Sequence, residues 1–146
     1  MKRKKAEKQY IYERDNRICS FCGKELLFKQ VSLDHYLPKS KGGPDETFNF
    51  VLSCRKCNKM KKNHVPKNYK EVMIDLFKRA VEDGKIVGAG IKIKQRELKE
   101  ITQKVYKVEN IGEYTVFQSK DHRFYVKQNK IYKIVRVDTK YREEEW

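Results

Sequence analysis

The sequence predicts an α+β fold in which a compact N-terminal module, residues 1–67, is followed by a second α+β region, residues 68–146. Apolar residues at helical spacing mark a long helix over 69–81, and alternating aromatic and β-branched residues mark strands in the last third of the chain. Two Cys-x-x-Cys pairs frame the first module: Cys19, Cys22, Cys54 and Cys57.

For the first module the sequence predicts, in order, a helix, a strand, a loop, a second strand and a short helix. Residues 1–17 have a helix-compatible composition and lead into the first cysteine pair. Residues 31–35 alternate apolar and polar side chains as a short strand does, and residues 50–53 form a second strand. Between these strands, proline and glycine predict a loop over 38–44. Residues 55–62 contain good helix formers and no breaker, which predicts a short helix.

The second region begins with the clearest helix of the chain, over 69–81. A weaker amphipathic pattern predicts another helix over 95–106, whereas residues 86–93 fit either a strand or a flexible connector. A three-stranded antiparallel meander is predicted over 114–118, 123–128 and 131–138. Seven apolar residues form the helical stripe: Tyr69, Val72, Met73, Leu76, Phe77, Ala80 and Val81.

The chain of 146 residues carries a formal net charge of +15. Residues 1–67 contain 17 Lys and Arg against 7 Asp and Glu, so most of the excess charge lies in the half that holds the cysteines. A basic field of this size points to a polyanionic partner, most often nucleic acid. A lysine-rich solvated surface is the alternative explanation.

No feature of the sequence indicates a membrane protein. The basic start, Met1 to Lys5, is not followed by an apolar segment, so it does not resemble a secretory signal. No stretch approaches the roughly 18 apolar residues that cross a bilayer. We therefore expect a cytoplasmic location, where paired Cys-x-x-Cys motifs favour metal binding over disulfides.

The two cysteine pairs predict one structural zinc site. A Cys-x-x-Cys turn supplies two thiolates, and two such turns complete the tetrahedron that zinc prefers. Because four cysteines fill the coordination sphere, this ion is expected to be a scaffold and not a catalyst. The 31 residues between the pairs exceed the separation in common zinc ribbons, so a further element is inserted there. Four unrelated buried thiols are the alternative.

The residues inside this frame resemble the HNH nuclease family, which has a ββα-metal core. The segment Leu33–Gly43 resembles its first signature and Asn49–Lys61 its second; together with the cysteines, the resemblance covers residues 19–62. Asn58 stands where many members have His, which makes the chain an H-N-N variant. Such variants are similar to the nicking domain of CRISPR effector nucleases, so this departure does not imply an inactive site.

The residue chemistry agrees with this resemblance. Asp34 offers a hard carboxylate and Asn58 an amide oxygen, both suited to Mg²⁺ or Mn²⁺. Imidazole titrates near neutral pH, so His35 is the expected base for the attacking water. Side chains alternate along a strand, so the strand must bend at its end for Asp34 and His35 to reach one phosphate. The resemblance implies that Asn49 holds the loop and orients His35.

Basic residues crowd the same stretch and are predicted to contact DNA phosphates. His64 is either a further DNA contact or a bystander, and His122, in a predicted turn, is expected to be structural or exposed. The predicted phosphate contacts are Lys39, Lys41, Arg55, Lys59, Lys61 and Lys62.

The second region resembles no family, and its aromatic residues allow two interpretations. They either stack on nucleic-acid bases or fill the interior of the sheet, and the interior is the simpler explanation. The aromatic residues are Tyr114, Phe117, Phe124, Tyr125, Tyr132 and Tyr141, and the cations that would extend a basic surface are Arg123, Lys127, Lys133 and Arg136.

The favoured function is a metal-dependent DNA endonuclease that leaves 5′-phosphate and 3′-hydroxyl ends, as the resemblance implies. A zinc-stapled DNA-binding module that does not cleave is the first alternative. The second is a nuclease subunit that acts only within a larger phage or mobile-element complex. The sequence leaves open the choice between DNA and RNA, between nicking and double-strand cleavage, and between a monomer and a homodimer.

Overall fold

The computed structural model describes residues 2–137, with side chains from residue 5 onward. The chain divides between Tyr69 and Lys70 into two compact units. Within residues 2–137, no helix combines the length and the apolar character that a bilayer span requires.

The first unit is built on a β-hairpin followed by a short helix. Helix α1 (Lys2–Arg14) precedes the antiparallel strands β1 (Ser32–His35) and β2 (Phe50–Ser53), and helix α2 (Arg55–Lys61) follows directly. In the hairpin, Ser32 lies opposite Ser53 and His35 lies opposite Phe50. This ββα arrangement places the end of β1, the loop between the strands and one face of α2 close together.

Buried polar contacts fasten α1 to this hairpin. The Arg14 guanidinium donates hydrogen bonds to the carbonyl oxygens of Thr47 (3.0 Å) and Phe50 (2.6 Å) and to the Asp15 carboxylate (2.8 Å). Asp15 in turn accepts a hydrogen bond from the Leu52 amide at 3.0 Å. These bonds satisfy a buried charge, so α1 is held against β2. The apolar core beside them contains Ile11, Tyr12, Cys19, Leu26, Val31 and Leu52.

The second unit is a five-stranded sheet with two helices. Helix α3 (Tyr69–Glu82) and helix α4 (Gln95–Thr102) flank the short strand β3 (Val87–Gly88). The sheet order is β3-β7-β6-β5-β4, with β3 parallel to β7 and the other pairs antiparallel. The remaining strands are β4 (Lys107–Ile111), β5 (Tyr114–Gln118), β6 (His122–Lys127) and β7 (Lys130–Arg136).

Helix α3 packs its apolar stripe on one face of this sheet. The Phe77 ring stacks on Phe117 with centroids 3.9 Å apart, and it contacts Phe124 at 6.3 Å. All three side chains are fully buried. Their burial supplies much of the hydrophobic stabilisation of this unit. Met73, Ile74, Ala80, Val81 and Leu98 complete the same layer.

The α+β class is confirmed, and the predicted meander forms the middle of a larger sheet. The sequence pattern does not predict β4, because Val108 is its single buried residue and its side chains do not alternate regularly. The segment 86–93, which was ambiguous, contributes the two-residue strand β3. The helix predicted over 95–106 ends at Thr102. Asp138 of the predicted third strand lies outside the described residues.

The prediction that the aromatic residues of the second region fill its interior is correct for Phe117 and Phe124 only. Tyr114, Tyr125 and Tyr132 are partly exposed, and they contact one another and neighbouring lysine ammonium groups instead of the core. Alternation along the strands explains the difference, because neighbouring residues point to opposite faces. Tyr141 lies outside the described residues.

Candidate active site

The four cysteines converge at one point of the first unit. Their sulfur atoms all lie within 4.8 Å of one another, and the Sγ atoms of Cys22 and Cys54 are 4.0 Å apart. Four thiolates bound to zinc at about 2.3 Å form a tetrahedron with edges of about 3.8 Å, so the donor set fits zinc. Gly23, at φ +75°, closes the first turn, and Cys54 caps the N-terminus of α2.

Backbone N–H groups lower the pKa of one thiol in this cluster, which favours binding of a cation. Burial opposes ionisation of Cys19, yet N–H groups of Cys22, Cys54 and Phe21 lower the pKa of this thiol to about 7. Contact with the Cys54 thiolate, together with desolvation, raises the pKa of Cys57 to about 12. Cys57 therefore keeps its proton at neutral pH until a metal ion binds, and metal binding releases that proton.

His35, the last residue of β1, is held by a carboxylate from the loop. Its Nε2 atom lies 2.5 Å from Oδ1 of Asp45, and its ring is tilted against Phe50 with centroids 4.7 Å apart. The hydrogen bond from His35 lowers the pKa of Asp45, so this carboxylate is ionised at neutral pH. An ionised carboxylate can only accept a hydrogen bond, so Nε2 of His35 carries the N–H in this contact, and in the neutral imidazole the lone pair then lies on Nδ1.

Asn49 fixes the loop that carries Asp45. Its side chain is fully buried, accepts a hydrogen bond from the Leu37 amide (2.9 Å) and donates to the carbonyl oxygens of Leu37 and Pro44 (3.0 Å each). Gly43 makes this closure possible, because a Cβ there would meet the Leu37 carbonyl oxygen at 1.7 Å. Asn49, directly before β2, thereby holds Leu37 and Pro44, the residues at the two ends of this turn of the chain.

Asp34 lies beside α2, where Lys61 reaches it. The Lys61 ammonium lies 3.8 Å from Oδ2 of Asp34 and donates a hydrogen bond to the His35 carbonyl oxygen at 2.9 Å. Burial raises the pKa of Asp34, and Lys61 opposes that effect. Among the described residues, Oδ2 of Asp34 has no hydrogen-bond partner although it is buried. A buried, unsatisfied carboxylate oxygen fits a metal ion.

The predicted metal ligand Asn58 lies on the same side of α2 as Lys61. The two residues are separated by three positions, which places them one turn apart on one helix face. Because Lys61 contacts Asp34 and His35, that face is turned toward the end of β1. The half-buried Asn58 is thus on the side of the helix that adjoins Asp34.

The predicted phosphate contacts fall into two groups. Lys61 differs from the prediction: its side chain is 6% exposed and it pairs with Asp34, so it is part of the site's interior. Lys39 is exposed and lies 3.4 Å from the Asp45 carboxylate. His64 is exposed and lines a cavity of the same unit with Phe21 and Tyr36. The other predicted contacts are exposed as well: Lys41, Arg55, Lys59 and Lys62.

The sequence pattern predicts neither the role of Asp45 nor the inward position of the Lys61 side chain. Asp45 directly follows the predicted loop over 38–44, and no periodicity marks its carboxylate as a partner of a residue ten positions earlier. The spacing between Asn58 and Lys61 contained a signal, since residues three apart on a helix share a face. His122 lies at the start of β6 with its ring 5.9 Å from Phe124.

Comparisons with known proteins find similarity to nucleases. A family model described as HNH endonuclease matches residues 19–73. The type IV methyl-directed restriction enzyme EcoKMcrA of Escherichia coli K12 is 33% identical over 76 residues, 48% of this chain and 27% of that protein. The CRISPR-associated endonuclease Cas9 of Corynebacterium diphtheriae is 35% identical over 52 residues, 35% of this chain and 5% of that protein. The chain thus spans about a quarter or less of these relatives. Residues 19–73 are therefore similar to the HNH endonuclease family, and both relatives are nucleases by name.

Proposed function

We propose that this chain is a metal-dependent DNA endonuclease in which His35 is the general base. The hydrogen bond between His35 and Asp45 is the observation that supports this role best. It fixes the ring and directs the N–H to Nε2, which leaves Nδ1 available to accept a proton. An oriented imidazole of this kind is the ordinary device for activating a weak nucleophile.

In this proposal Asp34 and Asn58 hold a divalent cation, Mg²⁺ or Mn²⁺. The buried, unsatisfied oxygen of Asp34 and the placement of Asn58 on the adjoining helix face support this ligand pair. The bound cation would polarise the phosphate and neutralise charge on the leaving oxygen. The four cysteines would hold zinc, and the bound ion would fix α2 and so fix Asn58 relative to β1.

The reaction follows from these positions. His35 accepts a proton at Nδ1 as the water oxygen attacks phosphorus. The bond between phosphorus and the 3′ oxygen breaks, and that oxygen takes a proton from solvent. The products are a 5′-phosphate and a 3′-hydroxyl. Asp45 remains ionised throughout and stabilises the imidazolium that forms, as an orienting carboxylate does in other base-assisted sites.

DNA is the proposed substrate for two reasons. The chain carries a net charge of +15, and exposed cations adjoin the site at Lys39, Lys59 and Lys62. The names of the two relatives also describe enzymes that act in restriction and in CRISPR systems. Because the match covers small parts of both relatives, we propose only the cleavage chemistry and assign no recognition sequence.

The HNH residues also fit a subunit that acts inside a larger assembly. In the restriction enzyme the matched residues make up 27% of the protein, so there they are one part of a longer chain. A non-cleaving binder is less well supported, because binding alone requires neither the His35–Asp45 pair nor a buried carboxylate oxygen that lacks a hydrogen-bond partner.

The test is cleavage of supercoiled plasmid by the zinc-loaded protein. We expect nicked or linear DNA when Mg²⁺ or Mn²⁺ is added and intact plasmid in its absence. His35→Ala should abolish cleavage, whereas the matched control His122→Ala, in the second unit, should retain it. Intact plasmid with the wild-type protein would reject autonomous cleavage. Equal cleavage by His35→Ala would reject the assigned base.

A further inference from the structure

The sheet of the second unit has a face that is both aromatic and basic. Its members, here named the tyrosine–lysine face, are Tyr114, Tyr125, Lys127, Tyr132 and Lys133. Strands alternate their side chains, so Tyr125 and Lys127 of β6 point away from the side on which Phe124 and Val126 are buried. The face therefore lies opposite the core that α3 covers.

An irregularity in the sheet concentrates the rings on this face. The register between β6 and β7 shifts after Tyr125, which pairs with Lys133, whereas Val126 pairs with Ile131. The extra residue on β7 is Tyr132. A bulge of this kind redirects a side chain. Here it leaves both Tyr132 and Lys133 in contact with the outer face of β5 and β6.

The three rings and two ammonium groups form one continuous patch. The Tyr114 centroid lies 5.9 Å from that of Tyr125 and 6.5 Å from that of Tyr132. The Lys127 ammonium lies 5.2 Å from the Tyr114 centroid and 5.4 Å from that of Tyr132. The Lys133 ammonium lies 5.0 Å from the Tyr125 centroid.

The charge of this patch is positive. Two carboxylates lie on this face: Glu113, 3.1 Å from the Lys127 ammonium, and Glu109, opposite Val116 on β4. Lys107 of β4, opposite Gln118, adds a further cation, so cations outnumber the carboxylates. Arg123 is on the same face of β6, with its Nε atom donating to Gln118. Packing between cross-strand rings stabilises a sheet without any charge, so stability alone does not account for lysines beside every ring. Aromatic rings interleaved with cations suit a ligand that has both flat apolar groups and anions.

We propose that the tyrosine–lysine face binds single-stranded nucleic acid. Unpaired bases stack on aromatic side chains, while Lys and Arg contact the phosphates between them. A duplex offers phosphates but hides its base faces, so the rings favour the single strand. This site shares no residue with the proposed nuclease centre, and its existence does not depend on cleavage.

Binding of a fluorescein-labelled oligothymidylate, about 20 nucleotides long, tests this proposal by fluorescence anisotropy. All proteins are full-length, zinc-loaded and carry His35→Ala, so that binding is measured without cleavage. Tyr125→Leu combined with Tyr132→Leu should weaken binding by roughly tenfold or more, since each stacked base contributes measurably. Tyr125→Phe combined with Tyr132→Phe keeps the rings and should bind like the parent. Tyr106→Leu, an exposed tyrosine outside the face, is the matched control.

A labelled duplex of the same length separates stacking from charge. We expect its affinity to change less than threefold in the leucine variant. An equal loss for duplex and single strand, or no loss for either, would overturn the proposal. If the leucine variant loses its circular dichroism spectrum, photocrosslinking of a bromodeoxyuridine oligonucleotide to the parent protein decides instead. Crosslinks at Tyr114, Tyr125 or Tyr132 support the site, and crosslinks confined to residues 1–69 contradict it.

Discussion

The Nε2 atom of His35 lies 2.5 Å from Oδ1 of Asp45, a residue ten positions further along the chain. This contact joins the end of β1 to the loop that leads to β2. Because an ionised carboxylate only accepts hydrogen bonds, Nε2 donates in this contact, and in the neutral ring the lone pair then lies on Nδ1. The proposed base, His35, is therefore oriented by Asp45, which is not one of the three residues of the H-N-N pattern.

Asp45→Asn should lower kcat for plasmid nicking by about tenfold to a hundredfold with little change in KM. The asparagine keeps the size of the side chain, but it removes the charge that stabilises the imidazolium. Asp75→Asn, an exposed acidic residue of α3, is the matched control. A rise in KM at constant kcat would show that Asp45 acts on DNA binding and does not position His35.

Gly43→Ala should destabilise the first unit by about 2–4 kcal/mol, because its methyl group would enter the Leu37 carbonyl and displace the Asn49 side chain. Gly42→Ala is the comparison: Gly42 has φ +89° but no atom within 4 Å of an added Cβ. We expect about 1–2 kcal/mol there from backbone strain alone. Urea unfolding followed by circular dichroism measures both, and an equal effect of the two substitutions would contradict the close contact.

Lys61→Ala should destabilise the first unit by about 1–3 kcal/mol, since it strands the Asp34 carboxylate and removes the donor to the His35 carbonyl. Lys59→Ala, exposed on the same helix, should change stability by about 0.5 kcal/mol or less. Added Mg²⁺ should restore part of the loss in Lys61→Ala, because a cation at Asp34 replaces the ammonium. A variant as stable as the wild type, or one indifferent to Mg²⁺, would argue against this arrangement.

Removal of zinc should unfold the first unit and leave the second folded. The four sulfurs join the first turn to α2, and the free energy of metal binding is then folding free energy. The core of the second unit, around Phe77, Phe117 and Phe124, contains no cysteine. Hydrogen exchange after chelation measures this: amides before residue 70 should lose protection and those of β5 and β6 should keep it. Retained protection before residue 70 would show that zinc is not structural.

The sequence predicted much of this molecule because its signals were local. The cysteine spacing, the hairpin and the stripe on α3 depend on nearby residues, and each is present. The contacts between Asp45 and His35 and between Lys61 and Asp34 depend on how the loop and α2 fold back onto β1. Likewise, β4 is a strand because it pairs with β5, and its own residues do not alternate clearly.

The position of the outer tyrosines also depends on contacts that the sequence does not predict. A sequence reveals that Tyr125 and Phe124 are neighbours, and alternation says that they face opposite sides. It does not say which side is covered. The packing of Phe77 on Phe117 and Phe124 decides that question, and it leaves the tyrosines with the lysines.

The most direct test of the proposed mechanism is chemical rescue of the base. The rate of the first strand break in supercoiled plasmid is measured with Mg²⁺ for the wild type and for His35→Ala, each containing one zinc ion. We expect His35→Ala to be slower by about a hundredfold or more, and imidazole added to the buffer to restore part of that rate. Added imidazole should not raise the cleavage rate of Asp34→Ala, because this variant keeps His35 and has lost a proposed ligand of the cation. Cleavage by His35→Ala at the wild-type rate would contradict the assignment of His35 as general base.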